Sequence, residues 1–112
     1  MDCLFCKIAA GEIPSSKVYE DELVYAFKDI EPQAPVHVLV IPKEHIQSAA
    51  AITSENSGVV ARIFEVISKL AVEMGLDNGF RVVSNVGESA GQSVRHLHFH
   101  VLGGRDMTWP PG

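Results

Sequence analysis

Apolar residues recur with two different spacings along this chain, and each spacing predicts a different kind of element. Alternation with a period of two is typical of β-strands, whereas a spacing of three and four residues is typical of an α-helix. The helical spacing runs from about Ser54 to Met74, with Thr53 or Ser54 as the expected N-cap and Gly75 as the expected end. We expect its apolar stripe to pack in the core or against a second subunit. The stripe comprises Val60, Ile63, Phe64, Ile67, Leu70, Ala71 and Met74.

A shorter helix and five strands complete the predicted fold. Residues 3–10 have apolar side chains at helical spacing and are followed by Gly11, which predicts a short helix with a glycine stop. An acidic turn between 17–19 and 23–27 predicts a β-hairpin. These elements predict an α+β fold, with a five-stranded, largely antiparallel sheet, one long helix and one short helix. The segments with strand-like patterns are 17–19, 23–27, 36–41, 80–84 and 96–102.

The composition narrows the class of protein. With 112 residues, 46% of them hydrophobic, the chain suits a single domain over 1–112 with one core. A net charge of −5 with scattered basic residues predicts no nucleic-acid partner. No apolar run approaches the roughly 18 residues of a membrane span, so no membrane partner is expected. The N-terminal residues lack a signal-peptide pattern, which favours a cytoplasmic location with reduced cysteines.

The segment 96–102 carries the most distinctive chemistry. His96, His98 and His100 alternate with apolar residues, so on a strand the histidines would face an accessible surface or cleft and the apolar residues the core. His96 and His100 would have Cα atoms about 13 Å apart, too far for all three rings to bind one metal easily. A neighbouring pair could still form half a zinc site. The row suits better an extended anionic substrate, with one histidine as nucleophile or acid/base and a neighbour as hydrogen-bond donor.

The loop before this row is a candidate phosphate site. Gly91 permits close approach of the backbone, Gln92 and Ser93 offer side-chain donors, and the N–H groups up to Val94 could form an anion-binding nest. An ordinary glycine turn is the alternative interpretation.

The pattern at 96–102 resembles the His-φ-His-φ-His-φ-φ motif of the histidine triad (HIT) superfamily. Further segments are similar to its Hint branch, so the resemblance covers essentially the whole chain. Arg95 departs from it, since Hint proteins often carry an aromatic residue there; on a strand Arg95 would face the side of Leu97 or begin an edge. The other matching segments are 27–30, 32–35, His37, 40–43, 45–46, 91–94, 103–105 and the terminal Trp-Pro-Pro-Gly at 109–112.

The resemblance implies a reaction and the residues that perform it. His98 would attack the α-phosphorus of a purine nucleoside 5′-phosphoramidate, and water would hydrolyse the nucleotidyl-histidine to a mononucleotide. His100 would hydrogen-bond the phosphate oxygens, and Ser93 would contact the leaving group or a phosphate oxygen. Asn85 and the backbone of 92–94, beside Gly91, would bind phosphate. No catalytic cofactor is implied.

The resemblance also implies how the nucleoside is held and how the chain assembles. Asp29 would accept hydrogen bonds from the ribose hydroxyls. Hint proteins are homodimers that join two five-stranded sheets into one of ten strands, with Trp109 near the partner's site. The implied base pocket comprises Leu4, Phe5, Ile8, Phe27, Ile30 and His37.

Three other functions remain open from the sequence. The chain could be a nucleotide-binding regulatory module without turnover, or a metal hydrolase that uses His98 and His100 as a half-site. Within the superfamily, it could hydrolyse dinucleoside polyphosphates, although the Trp-Pro-Pro-Gly terminus disfavours this.

Cys3 and Cys6 form a separate C-x-x-C signal. Such a pair can be a redox centre, half a metal site or two unrelated cysteines. Some bacterial histidine triad proteins are similar and bind structural zinc, which implies a site made by Cys3, Cys6, His45 and His96. That site would join the N-terminal helix to the sheet and would turn His96 away from the substrate.

Overall fold

A computed structural model describes residues 3–112; Met1 and Asp2, which belong to the predicted domain, lie outside the described residues. The described chain forms two helices and five strands in the predicted order. Short 3-10 turns at Ala49–Ala51 and Glu88–Ala90 lie between them. The elements are α1 (Leu4–Ala9), β1 (Lys17–Glu20), β2 (Val24–Lys28), β3 (Val36–Pro42), α2 (Ser57–Glu73), β4 (Phe80–Val83) and β5 (Phe99–Gly103).

The strands form one sheet in the order β1-β2-β3-β5-β4, and every neighbouring pair is antiparallel. The predicted α+β class and five-stranded antiparallel sheet are confirmed. β5, which contains His100, lies between β3 and β4, so β1 and β4 are the sheet edges. No helix within 3–112 is long and apolar enough to cross a membrane.

The two faces of the sheet are covered by different helices. In β3, Val38 and Val40 pack toward α2, whereas Leu39 and Ile41 belong to the cluster under α1. Because successive strand residues point to opposite faces, β3 supports both clusters at once. The candidate site lies on the α1 face.

The long helix begins later than its sequence pattern predicts. It starts at Ser57, because Thr53 donates its N–H to the Asn56 side chain at 2.7 Å and residues 53–56 form a turn. The prediction of Thr53 or Ser54 as N-cap is therefore wrong. At the other end, Gly75 has φ +72° and closes the helix as predicted, in a conformation that side chains with a Cβ rarely adopt.

The predicted stripe of α2 is mostly buried. Ile63, Ile67, Leu70 and Ala71 lie in the core, and Val60 and Met74 pack partly against it. Phe64 is the exception, with 46% of its surface exposed. It contributes to an apolar groove between α2 and β4, which also contains Val72 and Phe80.

The histidine strand is shorter than predicted. β5 begins at Phe99, so His96 and His98 precede it in an irregular segment that is not paired as a strand. A backbone bond from Leu97 N–H to the carbonyl of Ile46 holds this segment instead. The apolar side chains still face the core as predicted, since Leu97 and Phe99 are both buried.

Candidate active site and cysteine–histidine cluster

His98 is held in one orientation and one tautomer. Its Nδ1 lies 2.7 Å from the main-chain oxygen of His96. A carbonyl oxygen only accepts, so Nδ1 carries the proton and, in the neutral ring, Nε2 keeps its lone pair. Ser84 fixes the backbone of His98 by donating its hydroxyl to the His98 carbonyl at 2.8 Å. Nε2 of His98 is therefore free to accept a proton or to bond to an electrophilic atom.

His100 is oriented by a chain of hydrogen bonds from β3. The Gln33 N–H donates to Nδ1 of His37 at 3.0 Å, so the proton of neutral His37 is on Nε2. That Nε2–H donates to Nδ1 of His100 at 2.9 Å. Neutral His100 consequently carries its own proton on Nε2, where it can donate to a ligand.

Burial keeps this pair of rings uncharged. Burial, together with the charges that His98 and His37 can carry, lowers the pKa of His100 to about 4, against the carboxylate of Asp29. Burial also lowers the pKa of His37, again opposed by Asp29. Near neutral pH, His100 is therefore a neutral donor rather than an imidazolium.

A cavity of about 440 Å³ opens beside these rings, a size typical of small-ligand sites. Asp29 lies in its wall, with one carboxylate oxygen 3.4 Å from Nε2 of His37 and the other accepting the Glu31 N–H at 2.8 Å. The structure brings together eleven of the residues predicted from the sequence. They are Leu4, Phe5, Ile8, Phe27, Asp29, Ile30, His37, Ser93, Val94, His98 and His100.

The predicted phosphate loop contributes less than its sequence indicates. The side chain of Gln92 donates to the carbonyls of Gln47 and Val94 and accepts from Gly87, so it holds the loop together. Within residues 3–112, the hydroxyl and N–H of Ser93 have no partner, and neither does the N–H of Val94. Ser93 and Val94 are the donors that face the cavity.

Four predicted residues lie outside the cavity wall. Asn85 and Gln92 do not line the cavity, and neither does Gly91. Gly91 serves the loop through its φ of +84°, and a Cβ at this position would meet no atom within 4 Å. Trp109, with 82% of its surface exposed, does not line the cavity of its own chain either.

His96 does not face the cleft, which corrects the prediction of three histidines on one accessible face. It is completely buried. Its Nε2–H donates to the carbonyl of Pro42 at 2.8 Å, so Nδ1 of the neutral ring has a free lone pair. Nδ1 lies 3.3 Å from the sulfur of Cys3 and 3.4 Å from that of Cys6.

Four candidate ligands meet at this point. The ligand atoms of Cys3, Cys6, His45 and His96 all lie within 4.8 Å of one another, and the cysteines are free thiols. Burial, with the hydrogen bond and charge of Cys3, raises the pKa of Cys6 to about 11. Two adjacent thiols in such surroundings ionise together only beside a cation.

The geometry fits a tetrahedral zinc ion. Bonds of about 2.3 Å to sulfur and about 2.0 Å to nitrogen place the ligand atoms about 3.5 Å apart. The two sulfur–nitrogen contacts to His96 fall near that value, and so does the 3.3 Å from Cys6 Sγ to His45 Nδ1. The bond from His96 to Pro42 is the kind of outer contact that orients a zinc-binding imidazole. The predicted candidate for a structural zinc site is confirmed as a preformed cluster.

Comparison with known proteins identifies the family. The sequence profile of the HIT domain matches residues 10–107. The chain belongs to the HIT domain family. A HIT family hydrolase from Legionella pneumophila has the same fold, with a TM-score of 0.97 and 52% identity over 99% of this chain and 100% of that one.

Two other HIT relatives have names that refer to zinc binding and to nucleotide binding. A protein of Zea mays named 14 kDa zinc-binding protein is 48% identical over 111 residues, which cover 97% of this chain and 87% of that one. The histidine triad nucleotide-binding protein of Candida albicans has a TM-score of 0.83 and 37% identity, over 99% of this chain and 85% of that one. This HIT chain thus has a fold shared by proteins named as hydrolases, zinc-binding and nucleotide-binding proteins.

Four residues of the site were missed from the sequence. Glu31, Gln33 and Leu39 line the cavity, and Ser84 holds the His98 carbonyl. His37 was predicted only as part of the base pocket, yet it hydrogen-bonds His100. The available signal was the period of β3: Leu39 pairs with His100, which makes His37 its diagonal neighbour on the same face.

Proposed function

We propose that this chain, acting as a single HIT domain over residues 1–112, hydrolyses purine nucleoside 5′-phosphoramidates to a mononucleotide and an amine. The observation that carries the proposal is the hydrogen bond from His98 Nδ1 to the His96 carbonyl, because it leaves Nε2 free as a nucleophile beside the cavity. His100 stands next to it, with ring centroids 5.1 Å apart.

The first step forms one bond and breaks another at phosphorus. Nε2 of His98 attacks the α-phosphorus, the P–N bond breaks, and the amine leaves with its electron pair and takes up a proton. The positive charge on His98 is stabilised at Nδ1 by the His96 carbonyl, 2.7 Å away. The Nε2–H of His100 donates to a phosphate oxygen as negative charge grows there.

Water completes the reaction at the same phosphorus. It attacks the nucleotidyl-histidine, the P–Nε2 bond breaks, and the mononucleotide leaves. Ser93 supports both steps, because its hydroxyl faces the cavity with no partner among residues 3–112. It passes a proton to the departing amine in the first step and recovers one from the attacking water in the second. The chemistry uses no catalytic cofactor in this proposal.

The nucleoside occupies the part of the cavity under α1. Phe5 and Phe27, in edge-to-face contact with centroids 5.5 Å apart, and Ile8 form its apolar wall. Asp29 accepts the ribose hydroxyls with its remaining lone pairs. Ile30 is 94% exposed at the rim, where a base would cover it.

We also propose that Cys3, Cys6, His45 and His96 hold one structural zinc ion. Zinc would neutralise the two thiolates and fix α1 against the segment that carries His98. The cysteines act here as ligands and not as a disulfide, which supports a reducing, cytoplasmic location.

A homodimer is the proposed assembly. β4 is an edge strand, and the exposed apolar side chains of Phe64, Val72 and Phe80 lie on it and on the adjacent helix. Pairing of two β4 edges around a twofold axis would give a ten-stranded sheet and cover these residues. Arg81 in β4 donates to the carbonyl of Thr108 at 2.9 Å, which holds the segment with Trp109 near that edge and within reach of the partner's site.

The decisive experiment compares wild type with His98→Asn. Wild type should release a fluorescent amine from an adenosine 5′-phosphoramidate, and quenching at neutral pH should leave an AMP adduct on His98 by mass spectrometry. The variant should lose more than about 10³-fold in kcat, since the nucleophile is gone. Calorimetry should show that it still binds AMP. Wild type that binds AMP without turnover would make the chain a binding module instead.

A further inference from the structure

A second cavity adjoins the one proposed for the nucleotide. It has a volume of about 710 Å³ and shares Leu4, Ser93 and Val94 with the nucleotide cavity. From Ser93 it extends toward Gln47 and Arg95. The two cavities therefore form one groove with Ser93 at the junction.

Arg95 is the distinctive residue of this second cavity. It is exposed, and it has no hydrogen-bond or ion-pair partner anywhere in residues 3–112. Each of the three other arginines, in contrast, donates to a neighbouring residue. No carboxylate among the described residues lines the cavity, so the charge of Arg95 is uncompensated there, although the chain carries a net charge of −5.

The position of Arg95 departs from the sequence expectation. On a strand it would have shared the side of Leu97, but Leu97 is buried and Arg95 points outward into the groove. Because residues 93 and 95 are two apart, their Cα atoms lie at most about 7 Å from each other. A group that leaves the phosphorus past Ser93 therefore comes within reach of the guanidinium.

We infer that Arg95 selects leaving groups that carry an anion, such as an amine bearing a carboxylate or a phosphate. This inference rests on the proposed phosphoramidate hydrolysis and adds the chemical class of its leaving group. A guanidinium offers several donors in a plane and matches either anion in two-point contact. The exposed amide of Gln47 provides a further polar contact on the same wall.

The test uses three adenosine 5′-phosphoramidates with the protein as purified. Their amines are glycine, its neutral analogue glycinamide, and 2-aminoethyl phosphate, which separates a carboxylate from a phosphate preference. The measured quantity is the ratio of kcat/KM for each anionic substrate to that for glycinamide. Differences in leaving-group basicity cancel when this ratio is compared between variants.

Arg95→Gln should lower the ratio about three- to tenfold, and Arg95→Glu should lower it further. Lys69→Gln is the matched control, because it removes one positive charge from α2, away from the groove, and should leave the ratio unchanged. Raising the salt concentration should reduce the ratio of wild type but not that of Arg95→Gln.

Two results would overturn the inference and leave the proposed hydrolysis intact. One is an unchanged ratio in Arg95→Gln; the other is an equal fall in Lys69→Gln, which would assign the effect to net charge. If none of the three substrates is hydrolysed, the proposed function fails and the leaving-group inference fails with it.

Discussion

The main-chain oxygen of His96 accepts a 2.7 Å hydrogen bond from Nδ1 of His98, while the ring of the same His96 faces the sulfurs of Cys3 and Cys6. One residue thus joins the proposed zinc site through its side chain and the proposed nucleophile through its backbone. A change at the cysteines is expected to reach His98 by this route.

Replacing Cys6 by Ser should remove the zinc and destabilise the protein. At a free zinc concentration a hundred times its dissociation constant, binding contributes about 2.7 kcal/mol, and the variant should lose at least that much unfolding free energy. Elemental analysis should give one zinc per wild-type chain, and denaturation with and without chelator gives the energy. Glu44→Gln, beside the ligand His45, is the control that should keep its zinc. Wild type that purifies without zinc would contradict the proposal.

Removing the donor at His37 should slow the reaction rather than weaken binding. His37→Ala leaves Nδ1 of His100 without its donor, and loss of a bond worth about 1–3 kcal/mol predicts a fall in kcat of about 5- to 160-fold with KM little changed. His37→Gln should recover part of the rate, because its amide can donate in place of the imidazole. Steady-state kinetics of both variants measures this. A change in KM alone would return His37 to its predicted role as a pocket wall.

The depressed pKa of His100 should make the protein less stable in mild acid. The folded value is about 4 and the ordinary value 6.5, so the unfolded chain binds more protons between these limits and unfolding free energy falls as pH falls through them. His100 is 20% exposed at its side chain, and the shift corresponds to about 3 kcal/mol across this window.

The measurement is urea denaturation of wild type and His100→Gln between pH 4 and pH 7. Loss of zinc in acid affects both proteins, so only their difference reports on His100. The variant should show a shallower decline toward acid, and parallel curves would contradict the prediction.

Placing a charge on the β4 edge face should separate the proposed dimer. Phe80→Glu and Val72→Asp put carboxylates where two copies would meet, and an unpaired buried charge is strongly unfavourable. Sedimentation should give dimers for wild type and monomers for both variants. Leu23→Asp changes an apolar residue in the β1–β2 turn whose exposure, 51%, lies between those of Phe80 and Val72, and this variant should remain dimeric. Wild type that sediments as a monomer would refute the assembly.

Local sequence patterns predicted most of the fold, and contacts between residues far apart in sequence explain the boundaries that were predicted wrongly. Period two and the helical stripe located every strand and helix, because alternation and the 3.6-residue repeat are properties of neighbouring residues. The start of β5 was misplaced, because a bond between Leu97 and Ile46, far apart in sequence, holds His96 and His98 outside the ladder.

In the candidate site, too, some features were predictable from the sequence and others depend on contacts between distant residues. The proposed nucleophile and most of the cavity wall were expected from the family resemblance, whereas the donor chain through His37 depends on β5 lying next to β3, which no local pattern determines. The hydrogen bond from the Gln92 side chain to the Gln47 carbonyl is equally non-local, because the two residues are 45 positions apart in sequence.

The six-residue helix α1 has a consequence that concerns thermodynamic linkage. Its Phe5 packs edge-on against the rings of both His96 and His98, with centroids 6.0 and 5.1 Å apart, so the helix is shared by the metal cluster and the nucleotide cavity. If each ligand favours the seated helix, each must raise the affinity of the other by the same factor. Zinc titrations with and without AMP, and AMP titrations with and without zinc, should therefore return one coupling constant. The availability of zinc would then set how tightly the chain holds a nucleotide.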